Sequence, residues 1–215
     1  MNNRRKEGAE MRRSALLQAA RCVFAQRGFA ETNVEDIAAK AGVAKGTVYL
    51  YFNSKEQIYL AAFLEDARHL NRLTRERMDA VQSWQDKLRA YIEVRMEYLE
   101  SHQEFLRIYL AEIRSMMLRG ARLCSEFVHV ACESEMVLAQ MFAAAIAKGE
   151  IRKVDPELAA VAVVDLTRGL MERRLLGWCA SEAGCDVQFE LDLLYHSLAP
   201  ACQEPRPSGS PGQAC

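Results

Sequence analysis

The chain has 215 residues, half of them apolar, with 28 Lys/Arg against 29 Asp/Glu; it is long enough to bury one large core or two unequal ones. No apolar run approaches the roughly 20 residues of a membrane span, and the basic start Met1–Arg5 has no apolar stretch behind it, so a secretory signal is not expected and a cytoplasmic setting is. The seven cysteines, odd in number and without CxxC spacing, speak against a disulfide framework or zinc ribbon and are expected to stay reduced.

Residues 1–8 read as a flexible basic arm. Leu16, Leu17, Ala20, Val23 and Phe24 then recur at helical spacing, and Gly28 supplies a C-terminal stop. Thr32-Asn33-Val34-Glu35 has the form of a capping box with Thr32 as N-cap. The short helix that follows carries Val34, Ile37, Ala38 and Ala41 on one face and ends at Gly42. A third helix is predicted from about Ala44 to Phe52. Ser54-Lys55-Glu56-Gln57 repeats the capping pattern and opens a long fourth helix, with Ile58, Ala61, Ala62 and Leu64 facing inward.

Further helices are expected at about 84–100, 104–118, 122–148, 156–180 and 187–199, separated by Ser101-His102, Gly120, Lys148-Gly149 and Gly184. The Pro- and Gly-rich residues from Gln203 on cannot bury enough surface to order themselves. Nothing alternates as a half-buried strand would, and no proline precedes Pro156, so the fold class is all-α. The expected organisation is a basic arm at 1–8, a small helical domain at 9–55, a larger helical domain at 56–200 and a disordered tail at 201–215.

Charge follows the same division. Residues 1–55 carry ten Lys/Arg against five Asp/Glu, and the remainder 18 against 24. A basic head on an acidic body points to a polyanionic partner for the head alone. Within that head, two short helices joined at Gly42 form an angled pair of the kind whose second helix enters a DNA major groove. The outward face of the second helix presents Lys45, Gly46, Thr47, Tyr49 and Leu50: donors for phosphate, a residue that lets the backbone approach DNA, and an apolar side chain suited to a thymine methyl. Phe52 is read as core, Tyr51 as divided between packing and phosphate contact, and Lys55 as a phosphate clamp beside the amides that open the fourth helix.

The run Gly28-Phe29-Ala30-Glu31-Thr32, followed by Ile37 through Phe52 and then Lys55, closely resembles the DNA-binding signature of the TetR family of transcriptional regulators. The resemblance covers some 45 residues. It implies phosphate contacts from Thr32 or Asn33, Thr47, Tyr51 and Lys55, and base-edge or groove contacts from Lys45, Gly46, Tyr49 and Leu50. Ala44 departs from the pattern, in which serine commonly caps the recognition helix; its loss costs roughly 1 kcal/mol of capping.

The rest of the chain matches that family in length and helix count. Asp155–Trp178 is apolar on more than one side, and Leu158, Ala162, Leu166, Gly169, Leu170 and Arg173 are the expected homodimer contacts. The resemblance likewise implies a four-helix interface built from the last two helices. His102, Phe105, Tyr109, Glu112, Met116, Phe127 and Met136 are the candidate lining of an effector pocket. Competing control elements are His129, Cys132 and Glu133 on one helix face near Cys124, which together could begin a metal site; the pair Cys179 and Cys185, which could oxidise; and a protein partner. With no nucleophile–base spacing, phosphate loop or HExxH pattern, no enzyme activity and no cofactor are expected. The expected function is a ligand-responsive regulator, a repressor that binds a palindromic operator in double-stranded DNA as a homodimer and is released by an unidentified small, mostly apolar molecule, with no membrane partner.

Overall fold

A computed structural model describes residues 2–108, 110, 125–178 and 182–200, and every element among them is helical. Helix α1 spans Asn2–Glu31 and kinks at Gly28, where φ is +74°; α2 spans Val34–Ala41 and α3 Lys45–Tyr49. Helix α4 runs Lys55–Asp79 and α5 Trp84–Ser101, followed by a helical stretch at 103–108. Helices α6 (Ser125–Ala147), α7 (Pro156–Leu175) and α8 (Ala183–Leu198) complete the described chain. Among the described residues no helix is long and apolar enough to cross a membrane.

Local chemistry explains most of these boundaries. Gly42 caps α2 with φ +69°, a left-handed conformation that disfavours any side chain, and its amide reaches back to the carbonyls of Ala38 and Ala39. The Ser54 side chain accepts from the Gln57 amide at 3.2 Å, while the Gln57 carboxamide accepts from the Asn53 amide at 2.6 Å. Asp155 caps α7 by accepting from the amides of Glu157 and Leu158, with Pro156 in the first turn, where its missing N–H costs nothing.

Four expectations need correction. The presumed arm is helical from Asn2 on, because residues 2–12 are rich in good helix formers and hold no proline. The cap of α2 is Asn33, whose amide donates to Asp36 Oδ2 at 3.2 Å; Thr32 lies one residue earlier, buried, with its hydroxyl donating to the Gly28 carbonyl at 2.7 Å. The recognition helix ends at Tyr49 rather than Phe52. Finally, the chain turns at Gly177 (φ +71°), and Gly184 sits inside the first turn of α8. The expected helix at 104–118 and tail at 201–215 lie largely outside the described residues.

One continuous core runs along helix α4. Around its N-terminal half, Leu16, Leu17, Ala20, Val23 and Phe24 of α1 meet Ile37 and Ala38 of α2, Val48 of α3 and Ile58 of α4. Phe24, Phe29 and Tyr59 add edge-on ring contacts, with centroids 4.8 Å apart for Phe24–Tyr59 and 5.1 Å for Phe29–Tyr59. Arg21 of α1 pairs with the buried Asp66 of α4 at 3.2 Å. Further along α4, Phe63 and Leu70 join a core with Leu88, Tyr91 and Ile92 of α5, Leu138 and Phe142 of α6, and Val163, Val164 and Met171 of α7. Helix α8 closes the body through Leu191 and through Tyr195, whose hydroxyl donates to the Gln85 carbonyl at 2.8 Å and whose ring stands edge-on to Trp84.

Candidate DNA-binding and effector sites

Packing sorts the head residues into buried and presented groups. Val48 and Phe52 are fully buried, Tyr51 and Thr47 are half-buried, and Lys45, Gly46, Tyr49 and Leu50 are exposed. Leu50 leaves 80% of its surface to solvent, a large apolar side chain that packing does not bury. At Gly46 an added Cβ would meet nothing within 4 Å, so internal packing does not demand a glycine there. Glycine costs about 1 kcal/mol inside a helix, and a close approach by an external body is the remaining physical reason to keep it. Lys45 pairs with Glu35 of α2 and lies 5.9 Å from the centre of the Tyr49 ring. That pair is fully exposed and screened by water, so the ammonium can exchange its carboxylate for a phosphate.

Two residues expected on phosphates are engaged internally. The Thr32 hydroxyl is spent on Gly28. The Lys55 ammonium donates to the carbonyls of Phe29 at 2.7 Å and Thr32 at 2.9 Å and lies 4.3 Å from the Phe29 ring centre. These carbonyls follow the kink of α1, where helical partners run out. Lys55 thus fastens the end of α1 to the start of α4. Asn33 remains exposed beside it.

In the body, a cavity of about 40 Å³ lies between α4, α5, the 103–108 stretch, α6 and α7. Its wall includes Phe63, Leu70, Phe105, Leu106, Val164 and Met171, and at one end Asn71, Arg95 and Ser134. Arg95 is buried, donating to Thr74 Oγ1 at 3.0 Å and Ser134 Oγ at 2.6 Å, with its guanidinium carbon 3.6 Å from the Tyr91 ring centre. Asn71 joins the group by donating to the Val130 carbonyl and to Glu133. Nearby on α8, Glu190 is buried with one oxygen accepting from the Thr167 hydroxyl at 2.5 Å and the other lacking a hydrogen-bond partner. Burial pushes its carboxyl up to about 7, against the hydrogen bond from Thr167 and the positive charge of Arg95.

Of the expected pocket residues, Phe105 lines this cavity. His102 sits at the C-terminal end of α5, its ring stacked on Tyr98 at 3.8 Å, away from the cavity lining. Met136 is 54% exposed on α6, where the inward positions are taken by Val130, Leu138, Met141 and Phe142; it lines a separate surface groove of about 460 Å³ with Arg75, Asp79, His129, Glu133, Val137 and Gln140 rather than the cavity that holds Phe105. Tyr109, Glu112 and Met116, and the side chain of Phe127, lie outside the described residues. Sequence reasoning missed Arg95, Asn71 and Ser134. The available signal was a single arginine on the apolar stripe Leu88, Tyr91, Ile92, Arg95 and Leu99 of α5.

The dimer candidates lie on α7. Leu158, Ala162 and Arg173 are exposed, and Leu166, Gly169 and Leu170 half-buried. Val161, Leu176 and Trp178, with Phe189 and Leu193 of α8, extend the exposed apolar surface. A Cβ at Gly169 would meet nothing within 4 Å.

Among the described residues no three His, Cys, Asp or Glu side chains are grouped as a metal site. His129 is exposed and 3.9 Å from Glu133, whose carboxylate accepts from Asn71. Cys132 is half-buried, its thiol pushed up by burial. Cys185 is exposed, whereas Cys124 and Cys179 lie outside the described residues.

Two family models match the chain: bacterial regulatory proteins of the tetR family at residues 16–62, and the tetracyclin repressor-like C-terminal domain at 81–172. The HTH-type transcriptional activator FasR of Mycolicibacterium smegmatis is 32% identical over 97 residues, covering 45% of this chain and 44% of that protein. The chain thus aligns with under half of that relative's length. The uncharacterized HTH-type transcriptional regulator YhgD of Bacillus subtilis is 25% identical over 162 residues, 72% of this chain and 80% of that one. Among solved structures, the transcriptional regulator FadR of Bacillus subtilis in complex with stearoyl-CoA superposes with a TM-score of 0.72 at 24% identity, over 84% of this chain and 96% of that one.

Proposed function

The chain belongs to the TetR family of transcriptional regulators, and from that premise we propose that it binds a palindromic operator as a homodimer, represses, and is released by a small, mostly apolar molecule. The observation that carries this reading is the presented face of α3, where Gly46, Tyr49 and the 80%-exposed Leu50 stand outward on a helix held firmly from behind by Val48 and Phe52. Lys45, Thr47 and Asn33 supply phosphate donors around it, and Tyr51 adds a hydroxyl beside its packed ring. The two recognition helices of a dimer must lie about one turn of DNA apart, ~34–36 Å, to enter successive major grooves.

Release follows from α4. Phe63, Ala67, Leu70 and Asn71 line the body cavity, and the same helix begins at Lys55, fastened to the end of α1. A molecule that displaces the cavity wall therefore shifts a helix locked to the DNA-binding head, changing the spacing of the two recognition helices. An effector with a long apolar chain is also supported by the stearoyl-CoA held by the FadR neighbour.

The test is operator selection from a random duplex pool, followed by footprinting and a promoter–reporter assay. Two protected half-sites one turn apart, with lower reporter output when the protein is present, are expected. Protection of a single half-site overturns the dimeric operator; raised output overturns repression and leaves DNA binding intact.

A further inference from the structure

The cavity has one feature that an apolar molecule alone does not explain. Arg95 is only 7% exposed, yet its contacts are neutral: the hydroxyls of Thr74 and Ser134, the Tyr91 carbonyl at 3.5 Å and the Tyr91 ring. Among the described residues it forms no ion pair, and its guanidinium lines the cavity. A buried cation without a counter-charge is costly, and an apolar side chain of similar volume in its place is often neutral or stabilising. Glu190, on which Arg95 acts as a nearby positive charge, is itself buried with its carboxyl pushed up to about 7, so it is not a permanently ionised partner, and no hydrogen bond joins the two among the described residues.

We propose that the effector is an amphiphile with an anionic head, in its simplest form a carboxylate, that pairs with Arg95 while its apolar body replaces the packing of Phe63, Leu70, Phe105 and Met171. This rests on the reading that the body cavity is the effector site. The polar end already has the required arrangement: Arg95 offers a planar fork of donors suited to a carboxylate, flanked by Asn71 and Ser134. At about 40 Å³ the cavity holds a few waters or a carboxylate head, well below the ~300–1,000 Å³ of ordinary ligand sites. The apolar body enters only by pushing its wall aside. Because Phe63 and Leu70 belong to α4, that displacement acts on the helix that positions the head. The charge at the head selects the molecule, and the bulk behind it delivers the signal.

The experiment compares three probes of equal chain length on the full chain: decanoate, decan-1-ol and decyltrimethylammonium, each below its micelle concentration. Thermal shift reads binding and operator anisotropy reads release, for the wild type and for Arg95→Met and Arg95→Gln. Decanoate should act at concentrations about ten- to a hundredfold lower than decan-1-ol, the range a charge-assisted hydrogen bond supplies. Both variants should lose that preference while still melting cooperatively, and Arg95→Gln, which keeps a donor toward Ser134, separates loss of the charge from loss of the fold. Equal potency of decanoate and decan-1-ol in the wild type overturns the anionic head and leaves an apolar effector standing. A variant that keeps the preference for decanoate overturns the role of Arg95. If no probe of any charge moves either readout, the apolar-effector reading itself fails, and this proposal with it.

Discussion

The head and the body of this protein solve the problem of polar groups in opposite ways. In the head, the contacts that set helix ends are short in sequence: Thr32 bonds to Gly28, Asn33 to Asp36 and Ser54 to Gln57, while Lys55 reaches back to Phe29 and Arg21 pairs with Asp66. These contacts fix helix ends, so the outward face of α3 is left rigid and unsatisfied, ready for an external partner. In the body, polar groups are gathered from distant helices into the core. Asn71 meets Glu133, Arg95 meets Ser134, and Glu190 meets Thr167. Such groups cost stability unless every member is satisfied. One region therefore keeps its unmet polar capacity on the surface, and the other keeps it buried beside a cavity.

The largest expected effect tests whether the two regions cooperate through a dimer. For Gly169→Glu, the added Cβ would meet nothing within 4 Å among the described residues, so the side chain has room to leave the helix and the monomer should fold. If two α7 helices cross there, each interface buries two like charges. The variant should sediment as a monomer and lose specific operator binding by on the order of 10³-fold or more. A dimer with full affinity places the interface elsewhere, first along Phe189 and Leu193 of α8.

The next effect sharpens the contrast from the side of the body. The carboxyl of Glu190 is raised to about 7 in the fold from its ordinary 4.5. A raised acid binds its proton more tightly when folded, so its contribution favours folding at low pH and is lost as pH rises from about 4.5 to about 7. The groups facing it are Thr167 of α7 and Arg95 of α5. Glu190→Gln should leave stability unchanged near pH 4.5 and raise it by about 2–3 kcal/mol above pH 7.5. Chemical denaturation at both pH values checks this; parallel pH profiles for the two proteins contradict it.

On the head, Tyr49→Ala removes a side chain that is 45% exposed and leaves the core untouched. Operator affinity should fall roughly ten- to a hundredfold by fluorescence anisotropy at fixed salt, with no change in melting temperature. Unchanged affinity removes Tyr49 from the interface.

The smallest effect is the one on which the structure revises the sequence reading most. With its ammonium spent on the carbonyls of Phe29 and Thr32, Lys55→Ala should lower stability by roughly 1–2 kcal/mol. The dependence of operator affinity on salt should keep its slope. A slope reduced by about one unit at unchanged stability would restore Lys55 as a phosphate clamp.

What the sequence determined by itself is whatever depends on neighbours a few residues away. Helical period, the cap at Ser54, the left-handed turn at Gly42 and the burial of Val48 and Phe52 are set within one or two turns, so the helix-turn-helix and its presented face were legible. The same locality explains the near misses, since Thr32 and Asn33 compete for one cap and only the kink at Gly28 assigns Thr32 elsewhere. Tertiary structure decided what depends on helices brought together from far apart in the chain. It turned Lys55 from DNA toward the end of α1, left Met136 on the outer face of α6, and set Arg95 of α5 against Ser134 of α6 at the end of a cavity. A helical stripe states which side of a helix is apolar; only the packed neighbours state which polar atom on that side finds a partner, and which is left facing an empty space.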